Sequence, residues 1–86
     1  MPEISRFFGI IIAMYYNDHG LPHFHAMYGE HNAKSLIESG DTIEGSLPRR
    51  ALALVSEWRL LHKAVLLVVW QHMLDRKPHN KILPLE

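Results

Sequence analysis

FFGIIIAMYY (residues 7–16) is the stretch on which the fold turns. It is rich in Ile, Phe and Tyr and apolar at odd and even positions alike, so neither alternating face is reserved for water. Such a run predicts a central strand buried on both sides. The next segments extend it into an antiparallel sheet. NDHGLP (17–22) gathers Asn, Asp, Gly and Pro and reads as a turn. HFHAMYGE (23–30) alternates, with Phe24, Ala26 and Tyr28 on one face and His23, His25 and Met27 on the other. Gly29 to Asn32 is a hairpin signal, AKSLIE (33–38) a short strand and TIE (42–44) a weaker one.

After residue 45 the apolar period changes. Pro48 suits the first turn of a helix, with Ser46 or Leu47 as its cap. Ala51, Val55, Trp58, His62, Val65, Val69 and His72 then recur at helical spacing, flanked by Leu54, Leu61 and Val68. Arg49, Ser56, Arg59 and Lys63 fall on the other side. The helix either runs on to about Asp75 or breaks near His62. Ala64 to Trp70 is apolar all round, and so is either wholly buried or a surface for self-association. KPHNKILPLE (77–86) has two prolines and reads as an irregular tail.

These readings define an α+β domain over residues 1–86: a three- to four-stranded antiparallel meander (1–45), one or two helices packed on one of its faces (46–76), and a tail (77–86). A chain of 86 residues buries a modest core and is often helped by a second copy or a partner. Without cysteine it forms no disulfide and no thiolate zinc site, and a reducing cytoplasm is the expected setting. No signal peptide or membrane span is visible, the longest apolar run being seven residues. Net charge is zero, but residues 1–45 carry two bases against six acids and residues 46–86 seven bases against three acids. The halves either attract one another within the fold or present a basic face to an acidic partner or RNA.

DHGLPHFH (18–25) packs three histidines and an aspartate into eight positions. On a strand, His23 and His25 share a face with Cβ atoms about 6.5–7 Å apart. Two imidazoles at that spacing suit a divalent transition metal, with Asp18, His19, Glu30 or His31 as the further ligand. The alternative is no cofactor and a strand whose histidines bond to their neighbours. His-x-His followed by Glu also occurs in double-sheet metal barrels, which need more strands than this chain holds, and a histidine triad would want His where Met27 stands. Asp18, His19, His23 and His25 also supply the parts for acid–base chemistry, since a carboxylate fixes an imidazole's tautomer. Metal-independent RNA cleavage adds a cation for the phosphate, which Arg6, Arg49 or Arg50 can provide. Asp18 otherwise forms the turn. Arg49 and Arg50, at a helix start where acids are favoured, either bind an anion or pair with Glu44 or Glu57. Trp58 and Trp70 read as core or interface, and His62, one turn after Trp58, as a half-buried histidine that reaches the sheet if the helix packs that way.

MPEISRFFGIIIAMYYNDHGLPHFHAMYGEHNA, GSLPRRALALVSEWRLLH and the closing KILPLE together resemble a small bacterial family, the domain-of-unknown-function family 4160. The marker is D-H-x-x-P-H-F-H followed by Y-G-E, matched by Asp18, His19, His23, His25 and Tyr28, with Trp58, His62 and Trp70 in the helical part. Two departures stand out: Leu21 replaces the first of two prolines, and AVLLVV (64–69) replaces a commonly charged stretch. The resemblance implies a gene placed beside another small one, in pairs that look like toxin–antitoxin modules. This chain would then be the toxin partner, acting on RNA or translation by His-mediated cleavage or by blockade. Its expected partners are the neighbouring small protein and a second copy through the 64–70 helix face, with Arg6, Tyr28, Arg50 and His62 as the residues that bind a partner or the substrate. The competing expectations are a non-enzymatic protein-binding module and a metal-binding protein that uses His23 and His25.

Overall fold

The computed structural model describes residues 3–15, 20–77 and 81–85. Five strands, β1 (Glu3–Phe7), β2 (Ile10–Ala13), β3 (His23–Tyr28), β4 (His31–Leu36) and β5 (Thr42–Gly45), form one antiparallel sheet in sequence order, followed by the helix α1 (Arg49–Leu74). The architecture is the expected α+β meander with one more strand than predicted. The addition comes from the opening stretch. Residues 7–16 are not one strand, because the chain reverses at Phe8 and Gly9, with φ of 49° and 80°. Positive φ at both central residues is the two-residue hairpin turn whose twist matches paired strands. Phe reads as a strand former, so the pattern hides the turn. EISRF (3–7) thereby becomes β1. β2 remains a two-sided inner strand, as its composition required, with Ile10, Ile12 and Ala13 buried.

The ladder fixes which side chains share a face. Ile12 pairs with Ala26, which pairs with Ala33, and Ala13 pairs with His25, which pairs with Lys34. One face therefore carries Ser5, Phe7, Ile10, Ile12, Phe24 and Ala26. There Trp58 of α1 meets Phe7 and Phe24 at ring separations of 5.4 and 6.0 Å. Ala51 and Val55, one and two turns earlier, are buried in the same core. The other face carries Arg6, Ile11, His23, His25, Met27, Asn32, Lys34 and Glu44 by register. β5 closes the sheet through a tight approach: Gly45, at φ 72°, leaves no room for a Cβ beside the Asn32 carbonyl oxygen, which accepts the Ser46 N–H at 3.1 Å.

α1 begins after Pro48, which occupies the cap position itself in place of the expected Ser46 or Leu47 and offers no side-chain cap. The helix holds no proline or glycine, yet His62 leaves the helical region (φ −119°, ψ 18°) and bends it. Up to the bend the inward stripe is the expected Ala51, Val55 and Trp58. Beyond it the buried residues are Leu66, Val69, Trp70 and Met73. Of the expected stripe beyond the bend only Val69 is buried, Val65 being exposed and His72 half-buried, and Leu66, Trp70 and Met73 take the inward places instead. Ala64 to Trp70 is accordingly neither wholly buried nor wholly free. A helix end of Schellman type follows, in which Lys77 N–H reaches the His72 carbonyl and Arg76 N–H that of Met73. The tail is irregular, as expected, but docked. Ile82 N–H donates to the Ile4 carbonyl at 2.7 Å, and Trp58 Nε1 to the Leu83 carbonyl at 2.9 Å. Among the described residues no helix is long and apolar enough to cross a membrane.

Arg59 departs from its expected place on the polar side. It is 9% exposed, and its Nη1 donates to the carbonyls of Ile37 (2.7 Å) and Glu38 (3.1 Å). Gly40 lies against the guanidinium so closely that a Cβ would overlap it. Arg59 thus ties α1 to the β4–β5 connection. Arg59→Met removes both bonds and leaves buried acceptors, and should cost about 1–3 kcal/mol in urea unfolding. Phe8→Asn should instead stabilise the chain by about 1 kcal/mol, since Asn tolerates positive φ and completes the favoured Asn-Gly turn. An unchanged or lowered unfolding midpoint would show that Phe8 carries no backbone strain.

Candidate functional site

The open face of the sheet holds the histidine pair. β3 alternation points His23 and His25 away from Phe24, as expected, but solvent reaches only one of them. His23 is 4% exposed, because Trp70 covers it at a ring separation of 5.0 Å. Its Nδ1 lies 2.9 Å from the Leu21 carbonyl oxygen. A carbonyl only accepts, so Nδ1 carries a hydrogen, and Nε2 is buried. His25 stands beside it, ring centres 5.3 Å apart, and meets Tyr15 edge-on at 4.6 Å. Trp70, His23, His25 and Tyr15 thus form a continuous row of rings. The bland reading of these histidines, bonding to their neighbours, holds for His23 at Leu21.

His25 opens into a cleft of about 330 Å³ lined by Tyr15, Met27, Asn32, Lys34, Glu44 and Gly45. Lys34 pairs with Glu44 across the β4–β5 ladder. The hydrogen bond from Lys34 and then its charge hold the Glu44 carboxyl below the usual glutamate range, with smaller pulls from His25 and His23. The site therefore sets a fixed anion and an ammonium beside an imidazole and a phenol. Lys34 and Tyr15 are not among the residues the sequence points to, and Glu44 enters it only as a possible partner of Arg49 and Arg50. The detectable signal was parity: Lys34 and Glu44 each lie on strands whose pairing with β3 decides their face, and that pairing is not legible one strand at a time.

The other candidates lie as follows. Asp18 and His19 fall outside the described residues. Arg6 is on the open face but two strands away from β3, and its Nη2 donates to Glu3 at 2.7 Å. That bond, with Lys81 beyond it, lowers the Glu3 pKa. Arg49 is exposed at the first helical residue and does not line the His25 cleft. Among the described residues no ion pair joins Arg49 or Arg50 to Glu44, which goes to Lys34 instead, or to Glu57. Tyr28 and Arg50 come together on the helix side of the sheet, in a second cleft of about 330 Å³ with Phe8, Ile10, Pro48 and Leu54. His62 meets Trp58 at a tilted ring separation of 5.6 Å and lines a cleft beside the tail, so it does not join His25. Two imidazoles need at least one further ligand to hold a metal, and among the described residues no cluster of three candidate ligands exists. Glu30 lies in the β3–β4 turn, and His31 pairs with Tyr28, which places it on the face opposite His25.

The fold is a small α+β domain with one sheet face packed under the helix and a cleft beside His25 on the other. The profile of the family described as Domain of unknown function (DUF4160) matches residues 9–71, and the chain belongs to that family. No curated protein and no solved structure gives a significant match.

The Lys34–Glu44 pair has a measurable signature. Its lowered carboxyl pKa adds stability above the unfolded-state value, and that stability is lost as pH falls through the folded-state value. An NMR titration of the Glu44 carboxyl should give a midpoint below that of ordinary glutamate, returning upward in Lys34→Met. A wild-type midpoint at or above the ordinary value refutes the pairing.

Proposed function

We propose that the chain is the toxin component of a two-gene module and that it cleaves RNA at the open sheet face. The single observation that carries this reading is the cleft in which His25, Lys34 and Glu44 line one wall system. RNA cleavage by its own 2′-hydroxyl needs a base for the hydroxyl proton, an acid for the leaving 5′-oxygen, and a cation on the phosphate. Glu44, kept ionised, takes the first proton, and protonated His25 gives the second. Lys34 neutralises the phosphate. The 2′-oxygen–phosphorus bond forms as the 5′-oxygen–phosphorus bond breaks, leaving a 2′,3′-cyclic phosphate and a 5′-hydroxyl. His23 is a positioning residue here, held by Leu21 and Trp70 and holding His25 in turn.

Induced expression should arrest growth, and co-expression of the neighbouring gene should relieve the arrest. His25→Ala and Glu44→Gln should each lower RNA cleavage by the purified chain at least about 100-fold, the usual share of one acid or base. Chelators should leave the rate unchanged. Absence of growth arrest sinks the toxin reading. Arrest that survives both substitutions sinks the acid–base mechanism and leaves blockade.

A separate observation favours a protein-binding role for the helix-side cleft. Phe8 is 60% exposed at a strained φ of 49° beside Tyr28 and Arg50. Strain at an exposed aromatic persists where the ring has a use. We take this cleft as the contact for the neighbouring small protein. Phe8→Asn and Arg50→Glu should each weaken its capture about tenfold or more, Phe8→Asn doing so while the fold gains stability. Undiminished binding by both variants removes this contact from the interface.

A further inference from the structure

The bend at His62 turns only part of the apolar helix inward. Leu66, Val69 and Trp70 are buried, whereas Leu60 and Leu61 are 67% and 66% exposed, and Val65 and Val68 46% and 54%. Leu83 of the tail, 75% exposed, lines the same cleft as Leu61 and extends the patch sideways. From Ala64 to Leu74 the helix bears no Asp, Glu, Lys or Arg. Nothing on this stripe bonds to water or attracts an ion, and its residues recur at spacings of four and three, Leu61, Val65 and Val68.

We infer that this stripe is the interface of a homodimer in which two copies of α1 pack antiparallel about a two-fold axis between Leu66 and Leu67. Three features select a second copy as the occupant. A patch free of charge is complementary to itself, as an isologous interface requires. The five side chains leave on the order of 500 Å² of apolar surface open, and the doubled patch comes to about 1,000 Å², the size at which a specific interface begins. The charges at the ends of the stripe also fit only one direction. Exposed Glu57 precedes it, and exposed Asp75, Arg76 and Lys77 follow it with a net positive charge. Antiparallel pairing sets Val65 of one copy against Val68 of the other and brings each Glu57 to the Arg76 end of its partner. Parallel pairing would set like charges together.

Sedimentation velocity on the full chain tests this and reads mass rather than activity, so it is independent of the toxin reading. Wild type should sediment at twice the 10.0 kDa chain mass. Val65→Lys with Val68→Lys should weaken dimerisation at least about 100-fold with the circular dichroism spectrum retained, since both side chains face outward. Glu57→Lys should weaken it less, and adding Arg76→Glu should restore it. Wild type at the single-chain mass across a concentration series overturns the proposal. So does a double-lysine variant that remains a folded dimer, or a stripe occupied by the neighbouring protein alone.

Discussion

The structure depends on how one helix holds both sides of a single strand. β3 begins His23-Phe24, and the two side chains point to opposite faces of the sheet because strand geometry leaves no choice. Trp58 packs on Phe24 and Trp70 packs on His23, both tryptophans coming from α1. A straight helix presents its side chains to one face only, and the bend at His62 lies between the two anchors. No proline or glycine causes it. The bend falls between Trp58 and Trp70, which pack on opposite sides of the same strand. Loss of a buried tryptophan typically costs about 3–5 kcal/mol, a large fraction of the stability of a chain this size.

That clamp also arranges the site. Trp70 excludes water from His23 and presses it against His25, while the Leu21 carbonyl fixes the hydrogen on Nδ1. His25 is left as the imidazole that meets both protein and solvent. On its far side the β4–β5 pairing, kept close by Gly45 at the Asn32 carbonyl, brings Glu44 to Lys34. Arg59 holds the same hairpin from the helix side through Ile37 and Glu38. Helix and hairpin are therefore coupled, and the placement of Glu44 relative to His25 follows from residues on three different elements.

Much of this was legible. Alternation in HFHAMY assigned the faces of β3 correctly, and helical spacing found Ala51, Val55 and Trp58. The Phe8-Gly9 reversal was hidden because an exposed aromatic at positive φ looks, in sequence, like one more strand residue. After His62 only Val69 of the expected stripe faces inward, because no proline or glycine marks the bend in the sequence. Arg59 looked like a solvated base, and only the distant Ile37 and Glu38 carbonyls make it a buried one. Lys34 and Glu44 gave no local sign of belonging beside His25.

Periodicity and composition, acting over a few residues at a time, determined the α+β class, the order of strands before helix, and the exclusion of disulfide chemistry. These are local consequences of side-chain alternation, turn residues and the lack of cysteine. The tertiary structure alone decided that His23 is covered and His25 open, that Lys34 and Glu44 complete the cleft, and which half of the apolar helix stays exposed. Each of these depends on the register between strands and on the rotation of the helix beyond His62, which are set by contacts between residues far apart in the chain.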